Sequence, residues 1–532
     1  MALFLCTFAL LSLASATSPV VKLGYANYEG RSLSTGVSQW LGIRFAAPPV
    51  GERRFAAPHD PLSVAGVQQA TEHGSLCIPT ASSEGSTVPK GTSEDCLFLD
   101  VYAPTGAVGS KKLPVYFFIQ GGGFAQNSNP NYNGTGLIEA SGNDIVVVTF
   151  NYRVGPYGFL AGEEVKSGAS LNNGLKDQRK ALQWVHKHIS KFGGDPNHVV
   201  IGGDSAGAAS VTLMLSAYGG RNEGLFVAAA AESQSFATML NVTESQFAYH
   251  ELANATGCSS SKDTLACLRD LDVSALQKKN VNRPYPGAPG NPLYLYGPTI
   301  DGDLVPDHTY SLFHEGKFIK VPVIFGDDTN EGTNFVPRST SSVAEADAFI
   351  KNQFPYMTKA QLSKINSIYL TENQTEVFPN AGDHWRPAST AYGEIRYICP
   401  GIDMSTVYAA AGVPSWNYHY AVTDTEHENS GVGTPHTIEV NAIWGPDYTG
   451  GGAPASYTTS NAAIVPLMQA YWTSFIRSLD PNRHRLKSSP EWQTWEQDGG
   501  HQRIFIRTNE TRMETVPLDQ RARSTMFIYK LE

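Results

Sequence analysis

The stretch from Val199 to Leu215 constrains this chain more than any other. It reads Val199-Val200-Ile201, then Gly202-Gly203-Asp204-Ser205-Ala206-Gly207, then AASVTLML from Ala208 to Leu215. The β-branched run predicts a strand and the small-residue run a helix. Between them a Gly-x-Ser-x-Gly turn must reverse the chain within a few residues. Such a turn lifts the Ser205 hydroxyl above a sheet edge, and its glycines tolerate the crowded backbone. The helix N-terminus behind Ser205 adds partial positive charge where an oxyanion would form. With Gly and Ser each near ~7% usage, the bare pattern arises by chance roughly 0.2 times in a chain this long. It is the strand before and the helix after that make Ser205 a candidate nucleophile rather than an idle loop serine.

The same alternation runs along the chain. Leu113 to Ile119 (LPVYFFI), Ile145 to Phe150 (IVVVTF) and Val321 to Phe325 (VPVIF) are continuous apolar runs of strand length. Runs of this kind suit strands buried on both faces, as in a parallel sheet. A helical pattern opens at Asn172-Asn173, the expected N-cap. It repeats through Leu175, Leu182, Val185, Ile189 and Phe192, and stops at Gly193-Gly194 and Pro196. Helices alternating with buried strands predict an α/β fold, with ligands at the carboxyl ends of the strands. At 532 residues, length alone suggests three or four domains.

Charge narrows the partners. Lys and Arg number 39 against 49 Asp and Glu, with no basic run, so nucleic acid is not an expected partner. Beyond the N-terminus no apolar run reaches the ~20 residues that span a bilayer, so no stable membrane insertion is expected. The N-terminus itself, ALFLCTFALLSLASA from Ala2 to Ala16, reads as a cleaved secretory signal over 1–16. It lacks a positive n-region, and a buried helix or membrane anchor is the competing reading. Cys6 would leave with it, and Cys77, Cys96, Cys258, Cys267 and Cys399 would remain. In an oxidising compartment Cys77–Cys96 and Cys258–Cys267 are the short-loop pairings, with Cys399 free, although connectivity is not set by spacing. Sequons at Asn133, Asn241, Asn254, Asn373 and Asn509 fit the same route as glycosylation sites.

Two longer segments carry a resemblance. Phe192 to Gly207 (FGGDPNHVVIGGDSAG) is similar to the serine signature of the type-B carboxylesterases, and Glu94 to Pro104 (EDCLFLDVYAP) resembles that family's second signature. Gly42 to Gly51, Asn173 to Arg179, Asp480-Pro481-Asn482 and Trp492 also look family-like. The resemblance implies one large α/β-hydrolase domain over 17–532, with a mostly parallel central sheet flanked by helices on both faces. It implies Gln120-Gly121-Gly122-Gly123-Phe124 as the oxyanion loop, with the N–H groups of Gly122, Gly123 and Ala206 as donors. The family usually has His, Tyr or Trp where Gln120 stands, which bears on loop rigidity. Asp204 stands where Glu is commoner.

A serine needs a base, and the base an orienting carboxylate. Val321 to Phe325 runs into Gly326-Asp327-Asp328-Thr329-Asn330-Glu331-Gly332. By family position Glu331 is the acid, with Asp327 and Asp328 as competitors. The segment Gly433-Thr434-Pro435-His436-Thr437-Ile438-Glu439 resembles the family's histidine segment, which makes His436 the base, with His419 and His427 as alternatives. The order Ser205, Glu331, His436 is that of the fold. No metal or other cofactor is expected, since no H-E-x-x-H or Cys/His cluster occurs.

The loop between Cys77 and Cys96 bears on substrate. In the family it carries the gorge tryptophan of cholinesterases or the amphipathic flap of fungal lipases. Here it reads IPTASSEGSTVPKGTSED, without Trp and with only Ile78 and Val88 strongly apolar. It offers no aromatic partner for a choline cation and no apolar face for a lipid surface. The expectation is a secreted serine hydrolase of small to medium soluble carboxylic esters, its pocket lined by Phe124, Phe159 and Phe335. The competing readings are a lipase, a dedicated esterase or lactonase step of fungal secondary metabolism, and a binding or adhesion relative without catalysis.

Overall fold

The structure, a computed structural model, describes residues 19–371 and 378–528. The expected signal over 1–16, Cys6 and the sequon at Asn373 lie outside the described residues. Among the described residues, eleven strands form one sheet. They are β1 (Arg31–Ser32), β2 (Val37–Arg44), β3 (Phe98–Pro104), β4 (Leu113–Ile119), β5 (Val146–Phe150), β6 (Gly194–Asp204), β7 (Ala228–Glu232), β8 (Val323–Asp328), β9 (Ser415–Tyr420), β10 (Gln502–Ile506) and β11 (Arg512–Thr515). Their order across the sheet is 11-10-9-8-7-6-4-5-3-2-1. From β5 through β4, β6, β7, β8 and β9 to β10, every pairing is parallel. The pairings at either edge are antiparallel.

The continuous apolar runs are explained by two cores, one on each face of the sheet. Along β4, Val115, Phe117 and Ile119 enter the larger core, while Tyr116 and Phe118 enter the other. Alternate side chains on a strand point to opposite faces, so a strand covered on both sides has no polar position to spare. Helix α1 (Asn173–His188) and helix α2 (Ala206–Gly220) cover the first face through Leu182, Val185, Val211 and Leu215. Helix α3 (Ile464–Ser478) covers the second through Met468, Trp472 and Phe475. Each fully buried side chain of this size contributes roughly 1.5–3 kcal/mol.

Small residues in β6 and β7 make room for large neighbours. A Cβ on Gly202 would stand 2.2 Å from the Tyr116 hydroxyl oxygen. That hydroxyl donates to Glu232 at the end of β7. The expected helix start at Asn172 falls at the right place, but Asn172 does not cap it. Asn172 adopts a left-handed conformation, and its amide instead donates to the Thr299 carbonyl and to Asp301. Its carboxamide is thereby spent on tying a distant loop to the helix.

Cys77–Cys96 and Cys258–Cys267 are bridged, and Cys399 is free and buried. The sequon asparagines Asn241, Asn254 and Asn509 are exposed, and Asn133 is half-buried. No helix among the described residues is long and apolar enough to cross a membrane.

Candidate active site

The chain reverses between β6 and α2 at Ser205, whose φ of 55° and ψ of −119° are rare for a residue with a side chain. Holding such a backbone costs of order 1–3 kcal/mol and persists only where the surroundings enforce it. They do so here by contact. A Cβ on Gly207 would meet the Ile119 carbonyl oxygen at 1.8 Å, and one on Gly203 would meet the same oxygen at 2.6 Å. Both glycines are therefore required by the approach of α2 to the end of β4. The Ser205 N–H donates to the Glu232 carbonyl at 3.0 Å, which fixes the turn against β7.

The Gln120 to Phe124 loop leaves β4 directly beside this turn. Gly121 N–H donates to Asp204 Oδ1 at 2.9 Å, so the residue before Ser205 anchors the loop. Ala125 and Gln126 both donate to the Gly122 carbonyl, closing the loop on itself. Gly122 (φ 113°) and Gly123 (φ 62°) adopt conformations that glycine reaches at little cost. Among the described residues, no acceptor takes the N–H of Gly122, Gly123 or Ala206. Gln120 contributes rigidity rather than removing it. Its amide donates to the Phe150 carbonyl and to Asn151, and its own carbonyl accepts from Tyr152.

His436 Nε2 lies 2.8 Å from Ser205 Oγ, and His436 Nδ1 is hydrogen-bonded to Glu331 Oε2. The remaining Glu331 oxygen accepts from the Asp328 N–H at 2.7 Å. The acid and histidine loops are joined through Asn330. Its N–H donates to the Thr434 carbonyl, and its side chain accepts from the Thr434 N–H. The competing residues are turned elsewhere. Asp328 Oδ2 accepts from the Ile438 N–H, and Asp327 packs against Gly401. His419 lies between Glu514 and Thr329, and His427 sits beside Asp424.

A layer of buried carboxyl groups lies behind the serine and histidine. Burial, and then the charge of Glu439, push Asp204 up to about 7. Burial pushes Glu232 up to about 8, with Glu439 and Asp204 adding to it. Burial also raises Asp328 and Glu439, and the Ser233 hydroxyl lies within hydrogen-bond distance of both. Each such carboxyl keeps its proton to higher pH than an exposed one, which lowers the charge that must be buried. No cluster of three or more His, Cys, Asp or Glu among the described residues could hold a metal ion.

Phe124 and Phe159 line a cavity beside Gly123. Their rings pack edge to face at 5.0 Å. Phe335 packs edge-on to the His436 imidazole at 5.1 Å and stacks on Tyr397. Tyr397 also flanks His436, at 4.3 Å. Sequence reasoning missed Tyr397, Tyr294 and Arg396, because no motif surrounds them and their approach to the site is entirely tertiary.

Residues 17–524 match the profile of the Carboxylesterase family. The chain belongs to the carboxylesterase family. This esterase is 45% identical to Aspergillus niger EstA, whose crystal structure superimposes with a TM-score of 0.92, covering 97% of this chain and 98% of that one. It is 30% identical to Secreted lipase 4 of Gibberella zeae, over 93% of this chain and 90% of the relative. It is 33% identical to Lipase 1 of Geotrichum candidum, over 68% of this chain and 73% of the relative. The fold is that of the α/β hydrolases, as the resemblance implied, and the esterase is a carboxylic ester hydrolase.

Proposed function

We propose that this esterase works by acyl transfer through Ser205, on small to medium soluble esters outside the cell. The observation that carries the reading is the chain of contacts from Glu331 through His436 to a serine held on an enforced turn beside unpaired backbone N–H groups. His436 Nε2 takes the Ser205 proton as Oγ attacks the ester carbonyl. Glu331, on Nδ1, holds the tautomer and stabilises the imidazolium. The N–H groups of Gly122, Gly123 and Ala206 receive the tetrahedral oxyanion. His436 then protonates the leaving alcohol, and water, activated by the same imidazole, releases the acid from acyl-Ser205.

The Cys77–Cys96 loop supports a soluble substrate. Ile78 is buried and Val88 packs against the core, so neither forms an exposed apolar face. The loop is also fastened. Ala81 N–H donates to the Asn280 carbonyl, Gly85 N–H to the Lys278 carbonyl, and Glu84 pairs with Arg283. A flap that opens at an oil surface would be neither. Residues 17–532 are read as one catalytic domain after a cleaved signal, and the exposed sequons Asn241, Asn254 and Asn509 as glycosylation sites. The family match from residue 17, immediately after Ala14-Ser15-Ala16, supports that boundary.

The test is a labelled organophosphonate together with p-nitrophenyl esters of rising acyl length. An adduct on the Ser205 peptide, absent in Ser205→Ala, and a rate optimum at short or medium chains are expected. No adduct and no hydrolysis would overturn the mechanism. An optimum at long chains with interfacial activation would return the lipase reading.

A further inference from the structure

The cavity beside Gly123 contains an arginine that the acyl-transfer chemistry does not use. Arg396 stands in a π-helical turn, Glu394–Ile398, and lines the cavity wall with Tyr285 and Tyr294. Only 6% of it is exposed. Its guanidinium lies 5.6 Å from the ring centroid of Tyr294, 5.9 Å from that of Tyr392 and 5.6 Å from that of Tyr397. Among the described residues no carboxylate pairs with it, although other buried arginines have one, as Arg153 has Asp177. Its buried Nε has no hydrogen-bond acceptor, and the Tyr392 and Tyr397 hydroxyls lie beside the guanidinium as polar neighbours.

A guanidinium cannot shed its charge by deprotonating. Burying one ion without a counter-ion costs several kcal/mol. Tyrosine faces offset part of that cost but give Nε no acceptor. A carboxylate entering the cavity would supply the rest, since its two oxygens match the guanidinium fork. Position makes this a substrate feature. A Cβ on Gly123 would touch the Tyr294 ring at 2.3 Å, and Arg396 lies over that same ring. A carbonyl held at the glycine loop is therefore one tyrosine ring away from the guanidinium.

We infer that Arg396 binds a free carboxylate on the substrate, remote from the ester bond that is cut. The preferred substrates are then esters that also carry an ionised acid, such as half-esters of dicarboxylic acids. The inference rests on the acyl-transfer reading of Ser205, and Arg396 is a specificity residue within it. The neutral wall (Phe124, Phe159, Leu213 and Met239) holds the connecting chain, and Arg396 holds its charged end.

The experiment compares two series of esters with neutral, methyl-ended counterparts of equal length, at a pH where the acid is ionised. One series is the 4-nitrophenyl half-esters of succinic to suberic acid. The other is the acetate esters of ω-hydroxy acids. The wild-type esterase is expected to favour the charged member of at least one series by about tenfold in kcat/KM, mainly through KM. Arg396→Gln is expected to reduce that ratio to near unity, and Arg396→Lys to reduce it partly. Free dicarboxylates at millimolar concentration are expected to inhibit hydrolysis of a neutral ester by the wild type, which keeps the test decisive if a variant fails to fold. No preference in either series without inhibition, or a preference unchanged in Arg396→Gln, would overturn the inference. Loss of all hydrolysis in Ser205→Ala, with neutral esters cut by the wild type, shows separately that the acyl-transfer reading stands.

Discussion

Replacing Gly207 by alanine separates helix propensity from tertiary contact, because the two predict opposite signs. Gly207 lies in the first turn of α2, and its backbone has no positive φ. By propensity alone, alanine should stabilise the helix by up to about 1 kcal/mol. The added Cβ, however, would stand 1.8 Å from the Ile119 carbonyl oxygen and 2.8 Å from its carbon. Ordinary contact begins near 3.4 Å, so α2 and the end of β4 must part by about 1.6 Å. That oxygen belongs to the backbone and cannot rotate away. Overpacking of this kind costs typically 1–3 kcal/mol of stability. The functional cost is larger, because the two elements being separated carry the proposed oxyanion donors. Gly122 and Gly123 follow Ile119 by a few residues, and Ala206 immediately precedes Gly207. A misplacement of ~1 Å at a reacting centre costs on the order of 10²-fold. A fall in kcat/KM of at least ~100-fold is therefore expected, which is about 2.7 kcal/mol of transition-state stabilisation. The assay is p-nitrophenyl ester hydrolysis alongside thermal unfolding, with Gly106→Ala as the control. Nothing lies within 4 Å of a Cβ built on Gly106. If Gly207→Ala kept wild-type kcat/KM and melting temperature, the contact argument for the turn would be refuted.

Other outcomes follow from the same geometry. Glu331→Gln should lower kcat by on the order of 10⁴, as the loss of an orienting carboxylate does in other serine hydrolases, while leaving the fold's circular dichroism unchanged. Asp204 at about 7 and Glu232 at about 8 both sit above the ordinary values of 3.8 and 4.5. The folded protein therefore holds more protons than the unfolded chain from about pH 4 to about pH 8, and stability should fall as pH rises through that window. Melting temperatures across pH should show this decline, and Asp204→Asn with Glu232→Gln should flatten it. Cys77→Ser with Cys96→Ser opens a loop of 19-residue separation and should cost about 3 kcal/mol in denaturant unfolding.

Much of the site was legible in residues 199–215 because its determinants are local. A strand, a tight turn and a helix succeed one another within one stretch, and each announces itself through β-branching, glycine spacing or small-residue content. The glycine loop was legible for the same reason, and the acid and base through segments that resemble a family. The aromatic residues expected at the pocket reach it by different routes. Phe124 and Phe159 follow elements that begin at the site, so their neighbourhood carried over. Phe335 stands four residues past Glu331, and its ring packs on the His436 imidazole. Nothing in a linear pattern specifies that contact.

What the amino-acid sequence determined by itself was the kind of elements and the chemistry at the turn. Two-sided burial demands apolar strands, and a reversal in so few residues demands glycine at fixed offsets. What only the tertiary structure decided was which distant groups meet. Asn172 reads as a helix cap but is drawn to Thr299 and Asp301. Asp327 and Asp328 read as rivals of Glu331 until the loops close and leave one carboxylate on His436. Arg396 stands in no motif, yet the fold buries it without a carboxylate partner between Tyr392 and Tyr397 of its own helical stretch and the distant Tyr294. The cost of a buried charge depends on what surrounds it in space, and those surroundings exist only once the chain has folded.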